Sequence, residues 1–318
     1  MTGRQTRARL HPGEEHEDRC LGIRRRRGAL MVGAVIATGG GPRLGGEGVA
    51  VAFVQREIFG ESAAYERFMG RWSGRLAPLL VQFAGIRDGD SVLDVGSGTG
   101  ALALAIAEAM PSAHITGVDP SAAYVAHART RAPNDRLRFE VGNGQRLRFA
   151  DGTFDRVLSL LVMNFVPDPA KALREMIRVT RPGGVVAAAV WDYGDGMQML
   201  RVFWDEAIAC DPGAAARDER HMPLCKRGEL SALWRAHGLE HVEGQPLTIQ
   251  LSFASFEDFW SPLLGGQGPA GAYVATLTAT GREALRLRLR RRLLGDAPDR
   301  AITLQARAWA VKGTVRGR

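Results

Sequence analysis

At 318 residues and 45% hydrophobic content, the chain is long enough for one large domain or two modest ones and can bury a real core, which excludes a low-complexity polypeptide. Three widely spaced cysteines, Cys20, Cys210 and Cys225, exclude a disulfide framework or a Cys-rich zinc cluster and fit a reducing, cytoplasmic setting. The net charge of +8 sits at the ends: residues 1–27 hold eight Arg against four acids, and residues 282–318 hold eleven Arg or Lys against three acids. The remaining body carries −4, so nucleic acid is a disfavoured partner and solvated charge runs are the simpler account of the tails.

In chain order, residues 1–57 are expected to form a disordered extension. Arg24 to Arg27 precede a weakly apolar stretch, 28–37, and Ala50-Val51-Ala52 resembles a cleavage site, as in a twin-arginine export signal. Glycines interrupt that stretch and a polar, Gly-rich run over 38–48 follows, so an extension, or a start placed too far upstream with Met31 among the alternatives, is preferred. No run reaches the length of a membrane-spanning helix. Helical periodicity begins over 58–69 and returns over 76–84. After the turn signal Asp88-Gly89-Asp90, five short runs rich in Val, Ile and Leu follow, at 91–96, 114–119, 137–141, 154–161 and 184–191. Helical stretches at 101–110, 121–131 and 169–179 lie among them.

This alternation predicts an α/β, Rossmann-like, doubly wound and mostly parallel sheet with right-handed crossovers. Because most runs are apolar throughout, the strands should be buried on both faces. Beyond Trp191, helices are expected at 197–210, 227–237 and 256–264 as a cap insertion. Strand-like alternation at 246–253 and 301–311 predicts an antiparallel edge pair completing seven strands, with an Arg-rich helix over 282–294 between them, in which Leu287, Leu289 and Leu293 read as packing. The expected division is a domain over 58–318, with a core at 88–192 and a cap with edge strands at 193–313.

The strongest chemical signal is Val92-Leu93-Asp94-Val95-Gly96-Ser97-Gly98-Thr99-Gly100, a strand turning through glycines into a helix. In an open α/β sheet a ligand sits over the carboxyl ends of the strands at the topological switch point, so it should lie over this loop. Gly96, Gly98 and Ala101 also satisfy the dinucleotide pattern, which keeps a nicotinamide-dependent oxidoreductase open as an alternative. Asp94, two residues before the first glycine, would repel a pyrophosphate and could hold the amino group of a cationic amino-acid ligand. Asp119 closes the second strand, 19 residues beyond Gly100, where a carboxylate can accept hydrogen bonds from both ribose hydroxyls. Arg181-Pro182-Gly183-Gly184 is read as a turn feeding the fifth strand.

With these residues in order, positions 60–192 resemble the class I S-adenosylmethionine-dependent methyltransferases, in particular the broad group that includes the ubiquinone and menaquinone C-methyltransferases. The resemblance implies S-adenosylmethionine as cofactor, a small organic or lipid-like methyl acceptor and no metal. Carried over, the methionine part falls to Gly96, Ser97, Gly98 and Gly100, with Asp94 nearby, the ribose to Asp119 beside Pro120, and the adenine to Asn143, Gly144 and Gln145. The family usually has Asp-Ala where this chain has Asn143-Gly144. Leu161 to Phe165 correspond to the fourth strand's end beside the methyl group. Tyr65 and Arg71 are the lid candidates, within a segment resembling the helix that closes over the cofactor.

A sulfonium methyl is activated for in-line attack, so alignment is the protein's main task and no dedicated catalytic residue is required. His221 in the cap is a conceivable base and His127 a structural histidine. Asn164, Phe165, Trp191 and Trp260 are weak pocket candidates against a core reading. The chain lacks an Asn/Asp-Pro-Pro-Tyr/Phe motif and a Pro-Cys pair, which demotes adenine, glutamine and cytosine acceptors, and no metal-ligand spacing appears. A nucleic-acid-directed enzyme using the basic tails is the second alternative.

Overall fold

The computed structural model describes residues 62–132 and 134–317, so the expectation for residues 1–57 lies outside the described residues. Five apolar runs form the parallel strands β1 (Ser91–Val95), β2 (His114–Asp119), β3 (Leu137–Val141), β4 (Phe154–Leu160) and β5 (Thr180–Trp191). With β6 (Glu240–Phe253) and β7 (Ile302–Thr314) they make one seven-stranded sheet in the order β3-β2-β1-β4-β5-β7-β6. β7 runs antiparallel to both neighbours. The sheet is the mostly parallel one the sequence predicts, with its antiparallel edge pair.

α1 (Ser62–Tyr65) continues through a π-helical turn, Glu66–Gly70, into α2 (Arg71–Ala84). α3 (Ala101–Ala109) and α4 (Ala122–Thr130) cross from β1 to β2 and from β2 to β3, and α5 (Pro169–Val179) crosses from β4 to β5. Right-handed crossovers place α3 and α4 on one face and α5 on the other, because the strand order reverses direction between β1 and β4. Val92, Leu93, Val157, Leu158 and Ala187 are fully buried in the centre of the sheet, which is why those runs carry no polar alternation. α4 starts where the Ser121 hydroxyl accepts the Tyr124 amide at 3.3 Å, and α5 where Asp168 accepts the Lys171 amide at 2.8 Å ahead of a first-turn proline.

The cap contains α6 (Gln198–Cys210), α7 (Glu229–Ala236), α8 (Phe256–Trp260), α9 (Gly268–Thr276) and α10 (Ala279–Leu294). The helix expected over 256–264 divides into α8 and the 3-10 turn Ser261–Gly265, because Pro262 cannot donate the next helical hydrogen bond. α9 has no counterpart in the sequence reading, its Gly- and Ala-rich run giving little periodic contrast. β5 begins at Thr180 rather than 184, so Arg181-Pro182-Gly183-Gly184 lies inside the strand at a register shift opposite Phe154 and Arg156. β6 begins at Glu240 rather than 246, and its exposed, polar first half hid it from the alternation test.

The Arg-rich helix α10 is a structural element. Arg288 donates to Glu206 at 3.0 Å, Arg286 reaches Glu257 at 3.5 Å and Arg290 donates to the Ala297 carbonyl at 2.8 Å. Arg292 pairs with Glu206 at 3.7 Å, so the basic face is largely spent on the protein's own acids and carbonyls. Leu285, Leu289 and Leu294 form its buried side, whereas Leu287 is 54% exposed, which corrects the expectation that Leu287 packs.

Gly117, inside β2, lies where the Phe139 ring and Ser97 meet. A Cβ there would sit 2.5 Å from Phe139 Cδ1 and 2.9 Å from Ser97 Cβ, and a packed ring cannot give way cheaply. Gly117→Ala should destabilise the fold by about 1–3 kcal/mol, read as a lower urea midpoint at unchanged slope.

Candidate active site

The loop after β1 turns through Gly96, Gly98 and Gly100, with φ of 79°, 52° and 95°, a left-handed path that only glycine follows without strain. Gly96 is held by space as well, since a Cβ would lie 2.5 Å from Val162 Cγ1. Four of the loop's amides are already used. Gly96 and Ser97 donate to the Val118 carbonyl at 2.7 and 3.0 Å, Gly98 donates to Asp119 Oδ2 at 2.9 Å, and Gly100 donates to the Ser97 carbonyl at 2.8 Å. A turn built for pyrophosphate would aim such amides at the ligand, so this arrangement weighs against the dinucleotide alternative.

Two buried carboxylates flank the loop. Asp119, 8% exposed, accepts the Gly98 and Ser121 amides, one on each oxygen at 2.9 and 2.8 Å, which leaves lone pairs for two further donors. Burial raises its pKa and those two amides oppose the rise. Asp94 is 1% exposed, its oxygens make no hydrogen bond of normal geometry among the described residues, and burial pushes its pKa up to about 7, opposed by the Ala103 amide that faces it from the start of α3. The Ser97 hydroxyl is also buried and partnerless. A buried carboxylate of this kind suits a ligand that supplies its own cation.

At the end of β3, Asn143 is exposed and its Oδ1 accepts the Gln145 amide at 2.8 Å, closing a local turn. Gly144 lies against β1, where a Cβ would be 2.8 Å from Val95 Cγ1. Gln145 Oε1 accepts the Asp168 amide at 2.7 Å, so this side chain fastens the turn to the start of α5. Pro120 is exposed beside Asp119. Leu161 has a positive φ of 62°, unusual for a branched side chain, at the point where β4 passes Gly96 and Val162.

Above the loop, the Tyr65 ring stands 5.6 Å from the Tyr124 ring and its hydroxyl is 3.5 Å from Ser73 Oγ. Burial raises the Tyr65 pKa and, with smaller effect, so do the charges of Glu66 and Asp119, which places Tyr65 on the Asp119 side of the loop. Tyr124 belongs to the same group. Its hydroxyl is buried without a partner, and its pKa is raised by burial and by Tyr65, Asp119 and Glu66. The sequence reading did not single out Tyr124, although its place five residues after the ribose acid, on the first turn of a helix, was visible. Arg131 ties lid to loop, donating to the Thr99 carbonyl at 3.2 Å and lying 3.6 Å from Glu66 Oε1.

The Arg71 guanidinium donates to Asp258 at 2.8 Å and stacks 4.2 Å from the Trp72 ring and 4.9 Å from Phe253, contacts that anchor α2 to the cap. Trp191 and Trp260 are core residues, 1% and 2% exposed. His221 is exposed on a 3-10 turn and His127 half-buried on α4. Asn164 is buried after β4 and donates to Met222 Sδ of the cap at 3.3 Å, while its Oδ1 has no partner. Phe165, beside it, packs half-buried against the core. Among the described residues no His, Cys, Asp and Glu group could hold a metal ion, and no helix is long and apolar enough to cross a membrane.

Residues 93–188 match the family model described as a methyltransferase domain. An uncharacterised protein of Mycobacterium tuberculosis is 37% identical over 36% of this chain and 42% of its own length. The ubiquinone/menaquinone biosynthesis C-methyltransferase of Bdellovibrio bacteriovorus is 39% identical over 34% of this chain and 46% of its own. A 2-methyl-6-phytyl-1,4-hydroquinone methyltransferase of Synechocystis is 31% identical over 50% and 46%. The chain therefore spans under half the length of these curated relatives. Among solved structures, a methyltransferase-like protein of Bacillus halodurans superposes with a TM-score of 0.51 at 18% identity, covering 76% of this chain and 98% of that one, a likeness of fold.

If Arg71 anchors the cap, Arg71→Lys should lower the thermal midpoint, through the lost two-point contact and ring stacking, while S-adenosylhomocysteine affinity by calorimetry stays within about twofold.

Proposed function

We infer, from the class I S-adenosylmethionine-dependent methyltransferase domain that residues 93–188 form, that this chain transfers a methyl group to a small organic or lipid-like acceptor. In this reading residues 88–192 are the cofactor-binding core, and residues 193–313 supply the cap and edge strands. A cytoplasmic setting completes it, supported by Cys210 and Cys225, which form no disulfide among the described residues. The relatives named for quinone and hydroquinone methylation support an apolar acceptor without fixing its identity.

The observation that carries the reading is the buried Asp94 carboxylate, with no cation beside it among the described residues, beneath a loop whose Gly96, Ser97, Gly98 and Gly100 amides are bonded internally. That pocket fits an amino-acid ammonium and repels a pyrophosphate. Asp94 would receive the ammonium, Ser97 and Gly98 would border the methionine chain, and Asp119 would accept the ribose hydroxyls. Gly144 and the turn at Asn143 would border the adenine, and Tyr65 with Tyr124 would close over the ribose. When bound, S-adenosylmethionine supplies a methyl on a positively charged sulfur, ready for in-line displacement. The chain's own contribution is to align the acceptor with that axis and to exclude water, which the lid and cap are placed to do.

Calorimetry with S-adenosylhomocysteine and, separately, with NADH tests the reading. The first should bind and the second should not; tight NADH binding with no uptake of the first would overturn it. Asp119→Ala and Gly98→Val should each weaken S-adenosylhomocysteine binding at least about tenfold, or about 1.4 kcal/mol. Asp94 adds a pH dependence. Its raised pKa keeps the ligand-free carboxyl neutral below about 7, whereas an ammonium favours the ionised form, so binding releases a proton. Affinity should therefore rise as pH increases from about 5.5 to 7.5, and Asp94→Asn should flatten that rise and bind more weakly at the upper end. In the free protein the sign is opposite. Stability should fall over about pH 4 to 7, because the folded state holds a proton that the unfolded state has lost.

A further inference from the structure

The strand order β2-β1-β4-β5 puts Asp119 on one side of the glycine loop and the ends of β4 and β5 on the other. On that second side, three buried polar groups from separate elements are linked through one turn of the cap. Asn164 follows β4, is 5% exposed, and has a buried Oδ1 with no partner. Tyr193 follows β5, and its pKa is raised by burial first, then by Glu219, Cys225 and Tyr65, which sets it between the cap and the lid. Glu219 opens a 3-10 turn of the cap, Glu219–His221, and is 5% exposed, with Oε2 accepting the Trp204 indole N–H. Met222 joins the set, its amide donating to the Glu219 carbonyl at 2.9 Å and its sulfur accepting from Asn164 at 3.3 Å.

The charges nearby are already committed. Arg201 and Arg220 both bond to Asp218, while Glu219 forms no ion pair. Burial, which outweighs the Trp204 bond, pushes the Glu219 pKa up to about 7, and Arg201 and Asp218 act on it with opposite signs. A buried carboxylate with no cation and an unsatisfied amide oxygen form a patch that accepts hydrogen bonds, offers nothing to an anion, and can take up a proton near neutral pH.

We propose that Asn164 Oδ1 and the Glu219 carboxylate form the acceptor subsite, which holds a neutral hydroxyl on an apolar body and in which Glu219 is the catalytic base. The inference rests on the methyl-transfer reading above. The hydroxyl proton passes to Glu219 while the acceptor atom forms its bond to the methyl carbon, and the electron pair of the broken carbon–sulfur bond stays on sulfur. Carboxylate and phosphate acceptors are repelled by Glu219 and find no unpaired Arg201 or Arg220 to hold them.

The test uses the full chain saturated with S-adenosylhomocysteine and follows binding of 4-ethylphenol, ethylbenzene and 4-ethylbenzoate by NMR. The wild type should prefer the phenol over ethylbenzene by at least about tenfold, as sites built to hydrogen-bond a hydroxyl do. Glu219→Gln, which keeps an oxygen for Trp204, and Asn164→Ala should each reduce that preference at least about fivefold, with S-adenosylhomocysteine affinity unchanged as the control for an intact fold. Absence of the preference in the wild type, its survival in both variants, or tighter binding of the benzoate would overturn the subsite while leaving the methyltransferase reading standing. Failure of the wild type to bind S-adenosylhomocysteine would overturn both.

Discussion

The site depends on how β2 holds the loop that follows β1. The Val118 carbonyl accepts two successive loop amides and the Asp119 carboxylate accepts a third, so the strand's last two residues fix the loop from below. Three positive φ values make the path available, and these bonds select it from the many that glycine allows. Close packing forbids a side chain at Gly117, which faces Phe139 and the loop's Ser97, and at Gly96, which faces Val162 after β4. One hydrogen-bonding arrangement thereby sets the loop's shape and the direction of Asp119, and it commits the amides of Gly96, Ser97, Gly98 and Gly100.

The second organising constraint is electrostatic. Asp94, Asp119 and Glu219 are all buried, none has an ion-pair partner among the described residues, and desolvation is the largest influence on each. Isolated buried carboxylates cost the folded state stability, and a protein keeps them where a ligand will offset that cost. Their positions differ in a useful way. Asp94 and Asp119 flank the glycine loop from β1 and β2, whereas Glu219 arrives from the cap on the β4 and β5 side. The contrast with Asp218, held by two arginines beside Glu219, shows that the cap neutralises the neighbouring carboxylate and leaves Glu219 without a cation.

Legibility in the sequence followed how local each signal was. The run from Val92 to Gly100 and the acid at Asp119 were readable because a buried strand, a left-handed turn and a helix start each leave a mark within a few residues. The mostly parallel sheet and its antiparallel edge pair followed from alternation, whereas the strand order is set by the packing of the whole chain. The contacts of Arg71 were not legible, because its partners, Asp258 and Phe253, lie nearly two hundred residues away, and only packing brings them together. Asn143 and Gln145 fall at the expected turn, but their oxygens are bonded to backbone amides of the protein, an outcome that residue type alone does not reveal. Glu219 carried no sequence mark at all: it is one acid in a run of charged residues, and its burial is decided by Trp204 and the fold of the cap.

β7 occupies an interior position, between β5 and β6, although it follows both in the chain. Val186 pairs with Gly313 and Leu251 with Leu304, so each flanking strand waits for a segment that emerges from the ribosome much later. During synthesis β5 carries an open edge and β6 has no neighbour, and both are free to pair with strands of other chains. Assembly of the sheet's far half therefore waits for β7, and the nascent chain is most exposed to chaperones and to aggregation in the interval before β7 slots into place.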